Sequence, residues 1–419
     1  MTELLIIADD LTGALDTGVK FSQKGAYTEI CIDYPEYRKT GKTADVLVVN
    51  TDSRHLPMTE AYKRVFDVVS YMYERGVRKF YKKTDSVLRG NVGSEIRAMQ
   101  DAVKGVPVFF APAYPTLGRT TVNGIQYVDG VPVSETIFGK DPFSPVLFSD
   151  IAELINTQNA GIAKKIPAGV IPEGESDEIF IFDAENDGDL ADIARNLYCS
   201  PLLMGGCGGF ANAVFDRCGL YKKTSGRRQV LSASGIYLPN KAVVFSGSLN
   251  PVTQSQTAAL QNEGISYTSF TSEQLKRPHF SDSDECADIL SQVASTAPNV
   301  VAIGSCADPS ALSNLSSVEL IREQVSHNLG EIGKQLLDIF ANAVFIVVGG
   351  DTFLAMLRSV ESASIIPISE PLPGCVLCEA AIRGQSRYFI TKSGGFGNDE
   401  TLKALVGYVT SEHGFSNAP

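Results

Sequence analysis

One local arrangement recurs along this chain and limits what it can fold into: a short apolar run stops at a polar or glycine-rich turn, and a helical pattern follows. In the first instance, Leu4 to Ala8 is apolar and stops at Asp9 and Asp10, as a strand of a parallel sheet stops at its functional edge. Leu11, Ala14, Leu15, Gly18 and Val19 then recur at spacings of three and four, giving one apolar helix face, while Thr12 or Asp10 can cap the first turn. Such repeats predict an α/β fold with mostly parallel sheets flanked by helices. In these sheets ligands bind at the carboxyl edge, where the turns lie. Taken alone, Asp10 serves equally well as an N-cap and Asp9 as a solvated turn residue.

A length of 419 residues exceeds one ordinary core, so two domains of roughly 200 residues each are expected. Asp216 to Asn240 holds Lys222, Lys223, Arg227 and Arg228 with little apolar periodicity and reads as the linker, giving domains 1–225 and 226–419. A formal charge of −12 argues against a general nucleic-acid or anionic-membrane surface. Eight mostly isolated cysteines suit a reducing cytoplasm. The apolar run before Asp9 is too short for a signal peptide or a membrane span, and a cytoplasmic location is expected. Cys375 and Cys378 have metal-like spacing without a second pair nearby, so a structural role is favoured. Of the histidines, His279, His327 and His413 read as surface or structural, and His55 stands out for following Arg54 at a strand exit.

In the first half, strands are expected over Ala26–Asp33, Asp45–Thr51, Val77–Lys82, Val106–Ala111 and Ile179–Asp183. The third strand of the chain, Asp45–Thr51, runs into Asp52, Ser53 and Arg54. The next one runs into Lys82 to Asn91, where Lys83, Asp85, Ser86, Arg89, Gly90 and Asn91 form a loop able to bind anions. After Ala111, Pro112 to Thr121 reads as a proline-stiffened loop carrying Arg119, whose planar fork suits a carboxylate or phosphate. A hairpin around Tyr127–Val131 and an irregular stretch from Thr136 to Val146 follow. Leu202 to Ala211 is dense in glycine and fits either a phosphate cradle or a tightly packed turn.

The second half repeats the pattern. Ala242–Phe245 enters Ser246 to Thr253, with Pro251 suited to a first helical turn and no Walker lysine present. Asn299–Gly304 is a further strand, Glu319 to Phe340 an amphipathic helix, and Val344 to Met356 a strand, a turn with Gly349, Gly350 and Asp351, and a helix. Tyr388 to Asp399 adds Gly394, Gly395 and Gly397. Backbone N–H groups at such turns bind phosphate, and absent side chains let it approach, so three glycine turns on one edge favour a nucleotide.

Six segments in order resemble the four-carbon acid sugar kinases, over nearly the whole chain. They are Ala8 to Ala14, Lys83 to Asn91, Pro112 to Pro115 with Gly118 and Arg119, Asp141–Pro142 with Pro145–Val146, Gly349 to Thr352, and Lys392 to Gly397. The resemblance implies an N-terminal acid-sugar-binding domain, a C-terminal nucleotide-binding domain and a site in the cleft between them. It also implies ATP-dependent phosphorylation of the terminal hydroxyl of threonate, erythronate or a 3-oxo relative, with Mg2+ as companion ion. By position it implies ATP contacts at Ser248, Gly349, Gly350, Asp351, Thr352, Gly394 and Gly395. Leu249 and Asn250 depart from the cysteine and serine common in the family, and Leu11 from its frequent phenylalanine.

A four-carbon sugar acid needs cations for its carboxylate and acceptors for its hydroxyls. Arg54, Arg89 and Arg119, with Lys83, supply the first, and Asp9, Asp10 and Asp85 the second. Asp10 is the expected proton acceptor, with Asp85 second, and Asp351 is a candidate near magnesium. A homodimer is compatible with this reading. Two other classes compete: a non-catalytic two-lobed receptor for anionic sugars, and an NAD-linked dehydrogenase, which lacks the Gly-x-Gly-x-x-Gly turn after the first strand.

Overall fold

The computed structural model describes residues 2–141, 144–158, 161–172, 177–220, 238–295, 299–305 and 318–411. Pro142, His413 and most of the expected linker, including Lys222, Lys223, Arg227 and Arg228, lie outside the described residues. The chain divides into two compact units, Met1–Val230 and Leu231–Pro419.

The first unit starts with β1 (Leu4–Ala8), α1 (Leu11–Gln23), β2 (Thr28–Cys31), α2 (Tyr34–Lys39), β3 (Val46–Asn50), α3 (Met58–Glu74) and β4 (Lys79–Lys83). Next come α4 (Val92–Val103), β5 (Val108–Ala111), β6 (Arg119–Val122), β7 (Ile125–Val128) and β8 (Val131–Pro132). It ends with α5 (Ile151–Thr157), β9 (Ile162–Ile166), β10 (Glu178–Phe182), α6 (Asp187–Arg195), β11 (Leu202–Gly206) and α7 (Gly208–Ala213). Its main sheet has the order β2-β3-β1-β4-β11-β5-β10-β9, and every neighbour is parallel. Strands covered on both faces read as unbroken apolar runs, and β1 is buried at every position.

Helix α1 buries the face expected of it, Leu11, Ala14, Leu15, Gly18 and Val19 included. A Cβ on Gly18 would stand 3.2 Å from Ile30 and 3.4 Å from Val48, so the small residue brings the helix close to β2 and β3. Arg119 does not lie in a loop as expected but opens β6, which forms a small antiparallel sheet with β7 and β8. The expected hairpin is the β7–β8 pair of that sheet. The glycine-dense turn after β11 is a packing turn. A Cβ on Gly206 would fall 2.3 Å from the Ala111 carbonyl oxygen, one on Gly208 2.5 Å from Asp16, and one on Gly209 2.8 Å from the Ala113 oxygen.

The second unit contains β12 (Ala242–Ser246), α8 (Pro251–Asn262), β13 (Tyr267–Phe270), α9 (Ser272–Lys276), α10 (Asp284–Ser295), β14 (Val300–Ser305) and α11 (Val318–Ile339). It continues with β15 (Val344–Val348), α12 (Gly350–Ser359), β16 (Ser364–Leu372), β17 (Cys375–Ile382), β18 (Gln385–Lys392) and α13 (Thr401–Thr410). Strands β13-β14-β12-β15-β18 are parallel neighbours, and β17 and β16 extend the sheet antiparallel. Cys375 and Cys378 both lie in β17, three residues apart, so the pleat sends them to opposite faces. Both are buried, which excludes a shared metal between them.

Candidate active site

Because β3, β1 and β4 are adjacent and parallel, their carboxyl ends lie side by side, and the turns leaving them converge. Asp9 and Asp10 follow β1, Arg54 follows β3, and Asp85 and Arg89 follow β4. The Arg54 guanidinium joins three of these carboxylates. Its Nε donates to Asp9 Oδ2 at 2.7 Å and its Nη1 to Asp10 Oδ2 at 3.0 Å. Its Nη2 stands 2.8 Å from Asp10 Oδ1 and 3.8 Å from Asp85 Oδ1. Backbone bonds hold the turn in place, since Ser53 N–H and Arg54 N–H both donate to the Asp9 carbonyl, at 3.0 and 3.3 Å. Gly90, at φ +88°, lies against it, and a Cβ there would stand 3.1 Å from Arg54 Cγ and 3.2 Å from its carbonyl oxygen. Only glycine meets both demands without strain.

Asp10 has two roles at once. It is the N-cap of α1, accepting the Gly13 N–H at 2.9 Å, and it is Arg54's bidentate partner. The capping expectation is met, and the same carboxylate also joins the Arg54 cluster. Asp10's side chain is 25% exposed against 3% for Asp9, so Asp10 offers the more open face. Asp85 accepts from Arg89 Nε at 2.9 Å and Nη2 at 3.1 Å, and Arg89 Nη1 reaches Asp141 at 3.4 Å.

Burial by itself would raise the Asp9 and Asp85 carboxyls. Arg54 and the lysine ammonium groups nevertheless hold Asp9 below the usual carboxylate range, and Arg89, Arg54 and Lys83 hold Asp85 well below it. Both are thus charged at neutral pH. Asp9 Oδ1 is buried with no hydrogen-bond partner among the described residues, so one acceptor on this edge remains unspent.

The two lysines of the β4 exit point to different places. Lys82, expected in an anion loop, is turned inward. Its ammonium pairs with Glu95 on α4 at 3.0 Å and donates to the Lys83 and Ile7 carbonyls at 2.9 and 3.2 Å. Ser53 Oγ donates to the other Glu95 oxygen, and Thr51 Oγ1 lies 2.8 Å from Ser53 Oγ. Burial, with the Asp9 charge nearby, pushes the Glu95 carboxyl up. This Lys82–Glu95 floor was missed in the sequence. Its signal was Glu95 lying between Val92, Ile96 and Met99 on the apolar face of α4.

Lys83 is 4% exposed, donates to the Thr84 carbonyl at 2.8 Å, and has no carboxylate within ion-pair distance among the described residues. Its ammonium lies over the start of α1, 2.9 Å from where a Gly13 Cβ would be. Arg119 is not joined to the Arg54 cluster by any hydrogen bond or ion pair among the described residues. It donates from Nη1 to the Leu117 carbonyl, and its buried Nε has no partner. His55 Nδ1 lies 3.0 Å from Ser144 Oγ.

In the second unit, β12, β15 and β18 are adjacent and parallel, so their three glycine turns meet at one edge. The contacts are close. A Cβ on Gly247 would fall 2.1 Å from Thr352 Oγ1, one on Gly394 2.1 Å from Ser248 Oγ, and one on Gly395 3.2 Å from Asn250 Nδ2. Thr253 Oγ1 donates to the Gly394 carbonyl at 2.7 Å and lies 3.1 Å from Ser248 Oγ. Asn250 is the N-cap of α8, its Oδ1 accepting the Val252 N–H at 3.0 Å. Gly349, at φ +112°, opens α12 without a side-chain cap, so the first-turn amides from Gly350 to Thr352 stay available to an anion. The Asp351 carboxylate is exposed and paired with Arg322 at 3.1 Å. Among the described residues no three His, Cys, Asp or Glu side chains are grouped to hold a metal ion.

Comparisons with known proteins match both halves of the chain. A sugar-binding N-terminal domain model matches residues 4–214, and a nucleotide-binding C-terminal domain model matches residues 243–402. D-threonate kinase of Salmonella typhimurium is 30% identical, with 97% of this chain and 98% of that protein covered. D-erythronate kinase of Heliobacterium modesticaldum is 27% identical over 98% of each, and 3-oxo-tetronate kinase of Burkholderia multivorans is 27% identical over 96% and 97%. A Haemophilus influenzae crystal structure assigned to a domain of unknown function shares the fold at TM-score 0.71 and 20% identity, covering 97% of this chain and all of that one. Fold and domain matches together define a two-domain α/β protein with a sugar-binding half and a nucleotide-binding half. The chain belongs to the four-carbon acid sugar kinase family.

Proposed function

We propose that the chain is an ATP-dependent kinase that phosphorylates the terminal hydroxyl of a four-carbon sugar acid, threonate or erythronate, to give the 4-phosphate. The observation that carries this reading is the set of charged carboxylates gathered by Arg54 at the strand ends of the sugar-binding unit. Such a set accepts hydrogen bonds from a polyhydroxylated substrate. Arg54 already spends most of its donors on Asp9 and Asp10, so it organises the carboxylates more than it recruits the acid. Lys83, with donors to spare, and Arg89 then take the substrate carboxylate, with Arg119 joining them from the start of β6.

Asp10 is the carboxylate that receives the hydroxyl proton, with Asp85 in second place. A loose phosphoryl-transfer transition state asks for an oriented hydroxyl more than a strong base. Asp10 Oδ2, bonded once to Arg54, keeps a lone pair for this task. The glycine turns with Ser248, Gly349, Gly350, Asp351, Thr352, Gly394 and Gly395 fit nucleotide phosphates through the backbone amides they leave unpaired, those from Gly350 to Thr352 foremost. Magnesium, held mainly by those phosphates and with Asp351 as the carboxylate at hand, would neutralise charge on them. The domain boundary near residue 225, a cytoplasmic location and a homodimer belong to the same proposal.

ADP release should be measured over the four-carbon aldonic acids and their 3-oxo forms. Turnover with threonate or erythronate is expected. Turnover confined to the 3-oxo acid moves the assignment to the branch of the Burkholderia multivorans relative. No turnover with any of them, together with tight binding of the acid, would favour a receptor.

A further inference from the structure

Lys392, the last residue of β18, is 2% exposed, and no carboxylate reaches its ammonium within ion-pair distance among the described residues. A buried, unpaired ammonium is expensive, so its surroundings should show what the position gains. Its Nζ donates to the Ser393 carbonyl at 2.8 Å and to the Gly394 carbonyl at 3.4 Å. The same two carbonyls are bound from elsewhere, Ser393's by Phe396 N–H at 3.2 Å and Gly394's by Thr253 Oγ1 at 2.7 Å.

A trans peptide unit is planar, with C=O and N–H pointing in opposite directions. Pulling the Ser393 and Gly394 carbonyls towards one ammonium therefore sends the Gly394 and Gly395 N–H groups the other way. Neither N–H has a hydrogen-bond partner among the described residues, and Gly395 is exposed. Two adjacent unpaired amides, backed by a cation and facing outward, form a concavity for an anion. The main-chain carbonyl of Lys392 also accepts the Gly349 N–H at 2.9 Å, which ties this turn to the start of α12.

We propose that Lys392 is a positioning residue for nucleotide phosphate, aiming the Gly394 and Gly395 amides at the phosphate and supplying the positive charge that this domain would otherwise draw from a Walker lysine. The inference rests on the nucleotide reading of the second unit given above. Burial pulls the Lys392 ammonium down to about 8. The titratable group acting on it is the Cys375 thiol on β17, pushed up by burial to about 12; that thiol also feels Glu370 on β16, whose carboxylate accepts the Gly374 N–H at 2.6 Å. A bound phosphate favours the charged lysine. Nucleotide binding above pH 8 therefore takes up a proton, and affinity falls as pH rises from 7.5 to 9.5.

The test is titration calorimetry of ATP, ADP and adenosine against the full chain, in two buffers of different ionisation enthalpy. Lys392→Met is expected to weaken ATP and ADP at least tenfold and adenosine less than twofold, and to abolish the proton uptake. Lys392→Arg, always charged, should keep part of the affinity and lose the pH dependence, which preserves the test if the methionine variant folds poorly. Equal weakening of adenosine, proton uptake persisting in the methionine variant, or flat wild-type affinity across that pH range would overturn the role of Lys392. A wild-type protein that binds no nucleotide overturns the parent reading as well, whereas unchanged ATP affinity in Lys392→Met overturns this inference alone.

Discussion

Replacing Arg54 by methionine, which keeps much of its length, removes the one guanidinium bonded to both Asp9 and Asp10. Asp9 is 2% exposed, and Asp10 and Asp85 stand on the same cation. Stripping a buried charge of its partner costs about 3–5 kcal/mol, and that loss is expected at pH 7. The pH dependence separates this cause from lost packing. In the wild type Asp9 is held below its ordinary value of 3.8. Its pairing is therefore fully present above about pH 4 and is lost only as pH falls through the lower folded value.

Without Arg54, burial and the neighbouring carboxylates push Asp9 upward, so the variant can relieve its strain by taking a proton. The stability gap should then narrow between pH 7 and pH 5, while the wild type barely changes. Urea denaturation followed by tyrosine fluorescence is the assay, since the chain has no tryptophan and most of its 15 tyrosines lie in the first unit. Adding Asp9→Asn to Arg54→Met should recover more than about 1 kcal/mol, as expected for coupled neighbours. A gap below about 1 kcal/mol at pH 7, or one that widens as pH falls, would refute the account of Arg54 as the counterion of this cluster.

Asp10→Asn should lower kcat by about 10²–10⁴ while ATP affinity stays near wild type, and an active variant would remove Asp10 as proton acceptor. Helix capping is retained in this variant, because asparagine caps as well as aspartate. Gly395→Val, whose Cβ would meet Asn250 Nδ2 at 3.2 Å, should raise KM for ATP with little effect on KM for the sugar acid; equal effects on both would argue against phosphate at this turn. Treatment with EDTA should stop ADP release yet leave the unfolding midpoint unchanged, because no metal cluster is built into the described residues. A large drop in the midpoint would reveal a structural ion.

Much of the first unit was legible because local chemistry and tertiary role coincide there. Leu4 to Ala8 had to be a strand buried on both faces, and the two acids after it had to lie at its carboxyl end. The glycine turns after β12, β15 and β18 were legible for the same reason, since a turn that omits side chains shows itself in composition. Arg119 reads from sequence as part of a proline-stiffened loop, and its strand pairing with Val128 was not visible, because prolines upstream disguised the start of β6. Strands β16 and β17 escaped notice as well. Their partners are each other and β18, and Ser364 to Leu372 carries two prolines and two irregularities in register that break the alternating pattern.

By itself the sequence determined which residue types stand at each strand exit, because strand, turn and helix propensities act within a few residues. What it could not decide was who meets whom. Arg54 lies more than forty residues from Asp9 and thirty-one from Asp85, and only the adjacency of β3, β1 and β4 brings them onto one guanidinium. Lys82 and Lys83 are neighbours of the same chemistry, yet strand alternation sends the first to Glu95 in the interior and the second towards the start of α1. Sheet order and side-chain direction are set by burying two faces of a parallel sheet at once, a demand on the whole unit that no local window contains.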